Sequence, residues 1–166
     1  MSLTHHLIVH LQQMHATERE YRQYLADWQP RVQNRRLHAT MQIEMHDIDG
    51  ELQRLQECLQ HLGQSVDMTK RSPKVRVLRE LDEDASHGTS DATPLDVDAH
   101  LAMTDINFGT SELGIYRDML TMARAVNHPE LIALLNESVQ REEGDIQRMQ
   151  DVLAHLIEEE TGRKAA

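Results

Sequence analysis

Rows of apolar residues advancing by alternating steps of four and three constrain this chain more than any other feature. The first row is Leu7, Leu11, Met14, Glu18, Tyr21, Leu25 and Trp28. A later one is Leu101, Asp105, Phe108, Glu112, Ile115, Met119, Met122 and Val126. The last is Ile132, Leu135, Val139, Glu142, Ile146, Met149, Leu153 and Leu156. Such spacing puts side chains on one face of an α-helix, so each row is a stripe that must be covered by a neighbour. Each of these stripes carries a glutamate near its middle: Glu18, Glu112 and Glu142. A buried carboxylate is expensive unless it is paired with a cation or bound to a metal. Three of them on seams that should face one another point to a shared cation.

The breakers divide the chain into four long segments. Segment one runs from about residue 3 to 28, with Ser2 or Thr4 as its cap and Pro30 as its stop. Segment two runs from about 32 to 62, with the row Met41, Met45, Ile48, Leu52, Leu55, Leu59, Leu62 and Gly63 as its stop. A polar stretch, 64–94, follows; inside it the sequence from Lys74 to Asp84 predicts a short helix. Segment three, about 95–126, is broken by Asn127, His128 and Pro129, and segment four runs from 129 to about 160. Helices of about 25 to 31 residues are roughly 38 to 46 Å long at about 1.5 Å per residue. None can bury its stripe alone. The expected fold is all-α: a single domain, 1–166, forming a ferritin-like four-helix bundle of two helical hairpins joined by a long crossover.

Composition agrees. Aromatic residues make up only 3% of the chain, and the apolar mass is aliphatic with nine Met, which suits helices better than sheet. A net charge of -11 and a pI near 5.4 argue against nucleic acid or an anionic membrane as partner. No stretch approaches a transmembrane length. Cys58 has no second cysteine to pair with, and a cytoplasmic setting is expected.

An internal repeat relates the two hairpins. Gly50-Glu51-Leu52-Gln53-Arg54-Leu55-Gln56 in segment two matches Gly144-Asp145-Ile146-Gln147-Arg148-Met149-Gln150 in segment four. More weakly, Glu18 followed by Tyr21-Arg22 echoes Glu112 followed by Tyr116-Arg117. Carboxylate-bridged two-metal sites in bundles take one Glu from each of two helices; each of the other two helices gives a Glu and a second ligand three residues on, which shares its face. Glu18 and Glu112 fit the single-ligand helices. Glu142 with Asp145, and Glu44 with Asp47, fit the paired ones, with Asp where His is usual. These six are the candidate metal ligands, and oxygen donors of this kind suit Fe or Mn, two per chain. Glu44 lies at the edge of its apolar row. The repeat pairs Glu51 with Asp145 whereas the ligand pattern pairs Glu44 with Glu142, so Glu44, Asp47 and Glu51 all stay open as the segment-two ligand. Glu51 otherwise reads as a surface residue. Asp105 is expected near a helix end and in water. His15, three residues before Glu18, is an extra candidate.

Four motifs carry a resemblance to a known family. They are His15-Ala16-Thr17-Glu18-Arg19-Glu20, Leu52-Gln53-Arg54-Leu55, Ser111-Glu112-Leu113-Gly114-Ile115-Tyr116 and Arg141-Glu142-Glu143. Their order and spacing resemble the ferritin-like YciE/YciF stress-protein family, a bacterial domain of unknown function, over most of the chain. The resemblance implies a ferritin-like bundle that can hold a two-metal centre, a homodimer, and a role in stress response. The chain departs from the family pattern twice. Glu44 and Asp47 stand where a His followed by Glu is common, and Arg148 replaces an acidic residue.

Two functional expectations follow. One is a carboxylate-bridged dinuclear metal protein doing redox chemistry on O₂ or peroxide. The other is a metal-free helical interaction module, in which Arg22, Arg117 or Arg141 pairs with the buried glutamates. Tyr21 and Tyr116 are placed either to hydrogen-bond a carboxylate or simply to pack in the bundle.

Overall fold

The computed structural model describes residues 2–88 and 93–164. Among them the elements are α1 (Leu3–Trp28), a short 3₁₀ turn (Gln29–Arg31), α2 (Arg35–His61), α3 (Pro73–Gly88), α4 (Pro94–Ala125) and α5 (Pro129–Lys164). No strand occurs among the described residues. The fold is the all-α bundle expected. α1 packs on α2 and α4 on α5 as hairpins, α2 also packs on α5 and α1 on α4, and α3 lies in the crossover against α1.

Local chemistry sets the boundaries. Ser2 Oγ accepts from the His5 N–H at the start of α1, and Asn34 Oδ1 accepts from the Arg36 and Leu37 N–H groups at the start of α2. The 3₁₀ turn containing Pro30 therefore delays α2 to residue 35, later than the expected 32. Thr93 and Asp96 form a reciprocal capping box at α4. Gly63 ends α2 with φ 70, where its own N–H bonds the Gln60 carbonyl and the Gln64 N–H reaches back to Leu59. The break between α4 and α5 is made by Asn127 in the same left-handed region, φ 53, with Pro129 opening α5. The crossover helix is longer than the 74–84 expected, and α5 continues beyond 160.

Two apolar clusters fill the bundle. One gathers Tyr21, Tyr24, Leu25, Met41, Ile48, Phe108, Met149 and Leu156. The other gathers Leu7, Leu11, Met14, Leu55, Leu59, Tyr116, Met119 and Leu135. Glu18, Glu51, Glu112, Glu142 and Asp145 fall between the members of one cluster and the members of the other along their helices, so a polar layer crosses the bundle where the clusters meet; Glu44 and Asp105 lie further toward the first cluster, among its members. Cys58 lies buried in the second cluster, where burial pushes its thiol up to about 12. The crossover is tied to α1 by side chains. Gln12 donates to the Ser65 carbonyl (2.7 Å) and accepts from the Asp67 N–H (2.8 Å). Thr17 donates to Ser72 Oγ, and the Ser72 N–H donates to Glu20. These bonds set the start of α3 directly over the polar layer.

Candidate metal centre

The polar layer and the adjoining part of the first cluster bury seven carboxylates: Glu18, Glu44, Glu51, Asp105, Glu112, Glu142 and Asp145. Glu18, Glu112 and Glu142, from α1, α4 and α5, each bring one oxygen to within 4.8 Å of the others. Among the described residues they are the group with metal-ligand spacing. Gly109 makes room for this: a Cβ there would meet Glu142 Oε1 at 2.8 Å and Ile146 Cγ1 at 3.1 Å. Tyr116 donates its phenol to Glu18 Oε1 at 2.7 Å. Glu112 Oε1 is buried and has no hydrogen-bond partner.

One guanidinium lies inside the layer. Arg141 Nη2 is 2.7 Å from Glu18 Oε1 and 2.6 Å from Glu142 Oε2, its Nη1 is 3.2 Å from Asp145, and its Nε is 3.3 Å from Glu51. Burial alone would discharge it, but the surrounding carboxylates outweigh burial and hold Arg141 firmly protonated. Two other arginines lie away from the layer: Arg22 pairs with Asp49 and Arg117 with Glu143, both at the surface. Lys74 on α3 adds a second cation from above. Its Nζ donates to the Phe108 carbonyl at 3.0 Å, lies 3.8 Å from the centre of the Phe108 ring, and acts electrostatically on Glu112, Glu142 and Glu18.

The remaining acids are divided between partners. Glu51 is fully buried, not at the surface as expected. It accepts from Ser138 Oγ (2.6 Å) and from Arg54 (2.7 Å) besides facing Arg141. Asp105 is also a correction: α4 begins at Pro94, so Asp105 is well inside the helix, buried, accepting from Tyr21 and hydrogen-bonded to Glu44. Glu44 is buried and lies within the covered row Met41, Glu44, Ile48, Glu51, Leu55, not at its edge as expected. Asp47 is partly exposed and bound by Arg148 at 2.6 Å, and Arg148 also bonds Asp145. The repeat is visible in three dimensions: Arg54 folds back onto Glu51 over Gly50, and Arg148 onto Asp145 over Gly144. Of the six residues named from sequence, the structure thus brings together Glu18, Glu112 and Glu142. It sets Glu44 with Asp105, and gives Asp47 and Asp145 to arginines. His15 is buried with Nδ1 unpartnered, and does not join the trio.

This crowding raises the carboxyl pKa values. Burial is the main cause for Glu18, Glu44, Glu112 and Glu142, reinforced by neighbouring carboxylates and opposed at Glu18, Glu112 and Glu142 by Arg141. Asp105 is raised by burial against the pull of its hydrogen bonds. Asp145 is pushed up to about 7 by burial, with Arg141 and Arg148 pulling the other way. Lys74 is lowered by burial. Negative charge thus exceeds the buried positive charge, and protons or a further cation must balance it.

The donor set fits a hard divalent metal. It is all oxygen, it is anionic, and it includes a buried oxygen without a partner. Fold and site together define a helical bundle with a buried carboxylate centre. The chain belongs to the family described as Domain of unknown function (DUF892), whose model matches residues 2–166. No curated protein matches it. Among solved structures it is similar to YcfI from Rhodopseudomonas palustris, at 18% identity and a TM-score of 0.82, covering 90% of this chain and 94% of that one. It is also similar to the E. coli stress protein YciF, at 16% identity and a TM-score of 0.81, covering 95% and 98%. A protein from Xanthomonas campestris follows at 19% identity and a TM-score of 0.73, covering 96% and 99%. At these identities the likeness concerns the fold. Among the described residues no helix is long and apolar enough to cross a membrane.

Proposed function

We propose that this chain is a metal-binding bundle in which Glu18, Glu112 and Glu142 hold Fe or Mn, with redox chemistry toward O₂ or peroxide as its class of activity. The observation that carries this reading is the buried, unpartnered Glu112 Oε1 beside two further buried carboxylates. An oxygen in that state costs free energy that a bound cation recovers. When bound, the metal supplies one-electron redox exchange. The chain supplies the rest: Tyr116 orients Glu18, Gly109 gives Glu142 its space, and Arg141 neutralises Glu18 Oε1 and Glu142 Oε2. The pair of metals per chain expected from the ligand pattern becomes one in this reading. Arg141 stands among Glu18, Glu51, Glu142 and Asp145, where it already provides the second positive charge. A homodimer and a cytoplasmic stress role belong to the same proposal, the latter by analogy with the E. coli stress protein; light scattering in solution tests the dimer.

A second reading is favoured by the same arginine. Arg141 bonds two of the three trio members, and Lys74 faces all three, which suits a metal-free structural bundle. Thermal melting with Mn²⁺ and with chelator separates the two. Metal that binds only the folded chain stabilises it by about 2.7 kcal/mol at a hundredfold excess over Kd. An unchanged melt establishes the metal-free bundle.

A further inference from the structure

The chain has five aromatic residues of the Phe, Tyr and Trp types, and four of them stand in one line. Phe108 stacks on Tyr21 with ring centres 3.8 Å apart, Tyr21 stacks on Tyr24 at 5.5 Å, and Tyr24 meets Trp28 at 6.3 Å. The line starts beside the carboxylate trio: Phe108 is one helical turn before Glu112 and Tyr21 one turn after Glu18. It ends at Trp28, half-buried, with the Arg31 guanidinium 4.7 Å over its ring. Both tyrosines along it are buried, and both phenols donate to buried carboxylates. Tyr21 donates to Asp105, and Tyr24 donates to Asp82 on the crossover helix at 2.5 Å. Asp82 in turn lies 3.3 Å from Nε2 of His100, whose side chain is exposed.

Packing alone does not account for this arrangement. The surrounding core is aliphatic, and a Leu or Phe at either position would fill the space without requiring a buried carboxylate as hydrogen-bond partner. A phenol that donates to a carboxylate can lose an electron while its proton moves along the existing hydrogen bond, so that no charge is created in the core.

We propose that Tyr21, Tyr24 and Trp28 form a one-electron relay between the carboxylate trio and the surface. The proposal rests on the metal-binding reading for its oxidant, which is hydrogen peroxide reduced at the trio; the reductant is a one-electron donor in solution. In each passage Tyr21 gives up an electron, its O–H bond breaks, and the proton goes to Asp105. Tyr24 then reduces the Tyr21 radical. The proton returns from Asp105 to Tyr21, and the Tyr24 proton goes to Asp82. Trp28 next reduces Tyr24, whose proton returns from Asp82, and the external donor reduces Trp28. Two passages deliver two electrons, which with two protons from solvent convert one peroxide to two waters. The relay protects the buried site by drawing oxidising equivalents outward.

The test needs no metal. Metal-free protein is exposed to a photogenerated one-electron oxidant, ruthenium tris-bipyridine with persulfate, and frozen for electron paramagnetic resonance. The expected result is a tyrosyl radical on buried Tyr21 or Tyr24, reduced several-fold in yield by Trp28→Phe. It should shift in hyperfine pattern in Tyr24→Phe and weaken in Asp82→Asn, with helical content unchanged in all three. A radical that stays on Trp28, or a tyrosyl yield indifferent to Trp28→Phe and Asp82→Asn, overturns the relay. Either result is independent of whether the trio binds metal, which the melting experiment decides separately.

Discussion

Replacing Arg141 by Met keeps most of the side-chain volume and removes the only guanidinium buried among the carboxylates of the described polar layer. Four acids lose their contact with it: Glu18, Glu51, Glu142 and Asp145, all within 3.3 Å in the structure. Glu51 keeps Arg54 and Ser138, and Asp145 keeps Arg148, whereas among the described residues Glu142 keeps no other guanidinium contact and Glu18 keeps only the Tyr116 hydroxyl. Breaking one buried pair costs about 3–5 kcal/mol. That corresponds to a fall in melting temperature of roughly 6–20 °C at about 2–4 °C per kcal/mol for a chain of this size. The cost depends on pH with a definite sign. Burial already holds the Glu18 and Glu142 carboxyls above their ordinary range, and losing Arg141, which pulls them down, raises them further. A carboxyl raised in the folded state contributes stability that is present below its unfolded pKa and is lost as pH rises through the folded value. The deficit of Arg141→Met relative to the parent chain should therefore be small at pH 5 and large at pH 8. Urea unfolding followed by circular dichroism at both pH values measures it. Adding Mn²⁺ at pH 8 should recover part of the loss, because a cation then replaces the guanidinium. A deficit equal at the two pH values, or below about 1 kcal/mol at pH 8, would refute the assignment of Arg141 as the internal counter-ion.

The metal-free parent chain should itself lose stability between pH 5 and pH 8, since the trio, Glu44, Asp105 and Asp145 are all raised and Asp145 titrates near 7; unfolding midpoints across that range read the slope. Gly109→Ala should destabilise by about 1–3 kcal/mol, because the new methyl meets the Glu142 carboxylate at 2.8 Å. Gly114→Ala, on the same helix with nothing within 4 Å, should be neutral or stabilise by up to ~1 kcal/mol, and melts of the pair check both. Lys74→Met removes a cation that opposes the negative field of Glu112, Glu142 and Glu18, so Mn²⁺ should bind a few-fold more tightly by calorimetric titration.

The bundle was legible in the sequence because its apolar rows are long and regular, and Pro30, Gly63, Asn127 and Pro129 interrupt them where the helices do end. Glu18, Glu112 and Glu142 stood out for the same reason: each sits in the middle of a stripe that has to be covered. Asp105 carried the same signal, since it occupies a position in the third stripe, and was misread as lying near the helix end although α4 starts about three turns before it. Glu51 was misread because the row in α2 was drawn through Met45 and Leu52; the row that is buried runs Met41, Glu44, Ile48, Glu51, Leu55, Cys58 in steps of three and four and includes both glutamates. Spacing could not show its partners, Ser138 and Arg141 on α5, more than eighty residues away. Lys74 was hidden in the crossover, where nothing in its neighbours marks it as the residue that reaches over Phe108. The division of the acids between metal-ready and arginine-bound groups is likewise a matter of which helix faces which. Sequence spacing alone places Asp145 with Glu142 and cannot show Arg141 and Arg148 already holding it.

Elemental analysis of the purified chain after anaerobic Fe(II) loading and desalting, beside Glu112→Gln treated identically, tests the central claim most directly. The account predicts one metal per chain in the parent and almost none in the variant, with both equally helical. A parent that retains no metal, or a variant that retains a full complement, would contradict it.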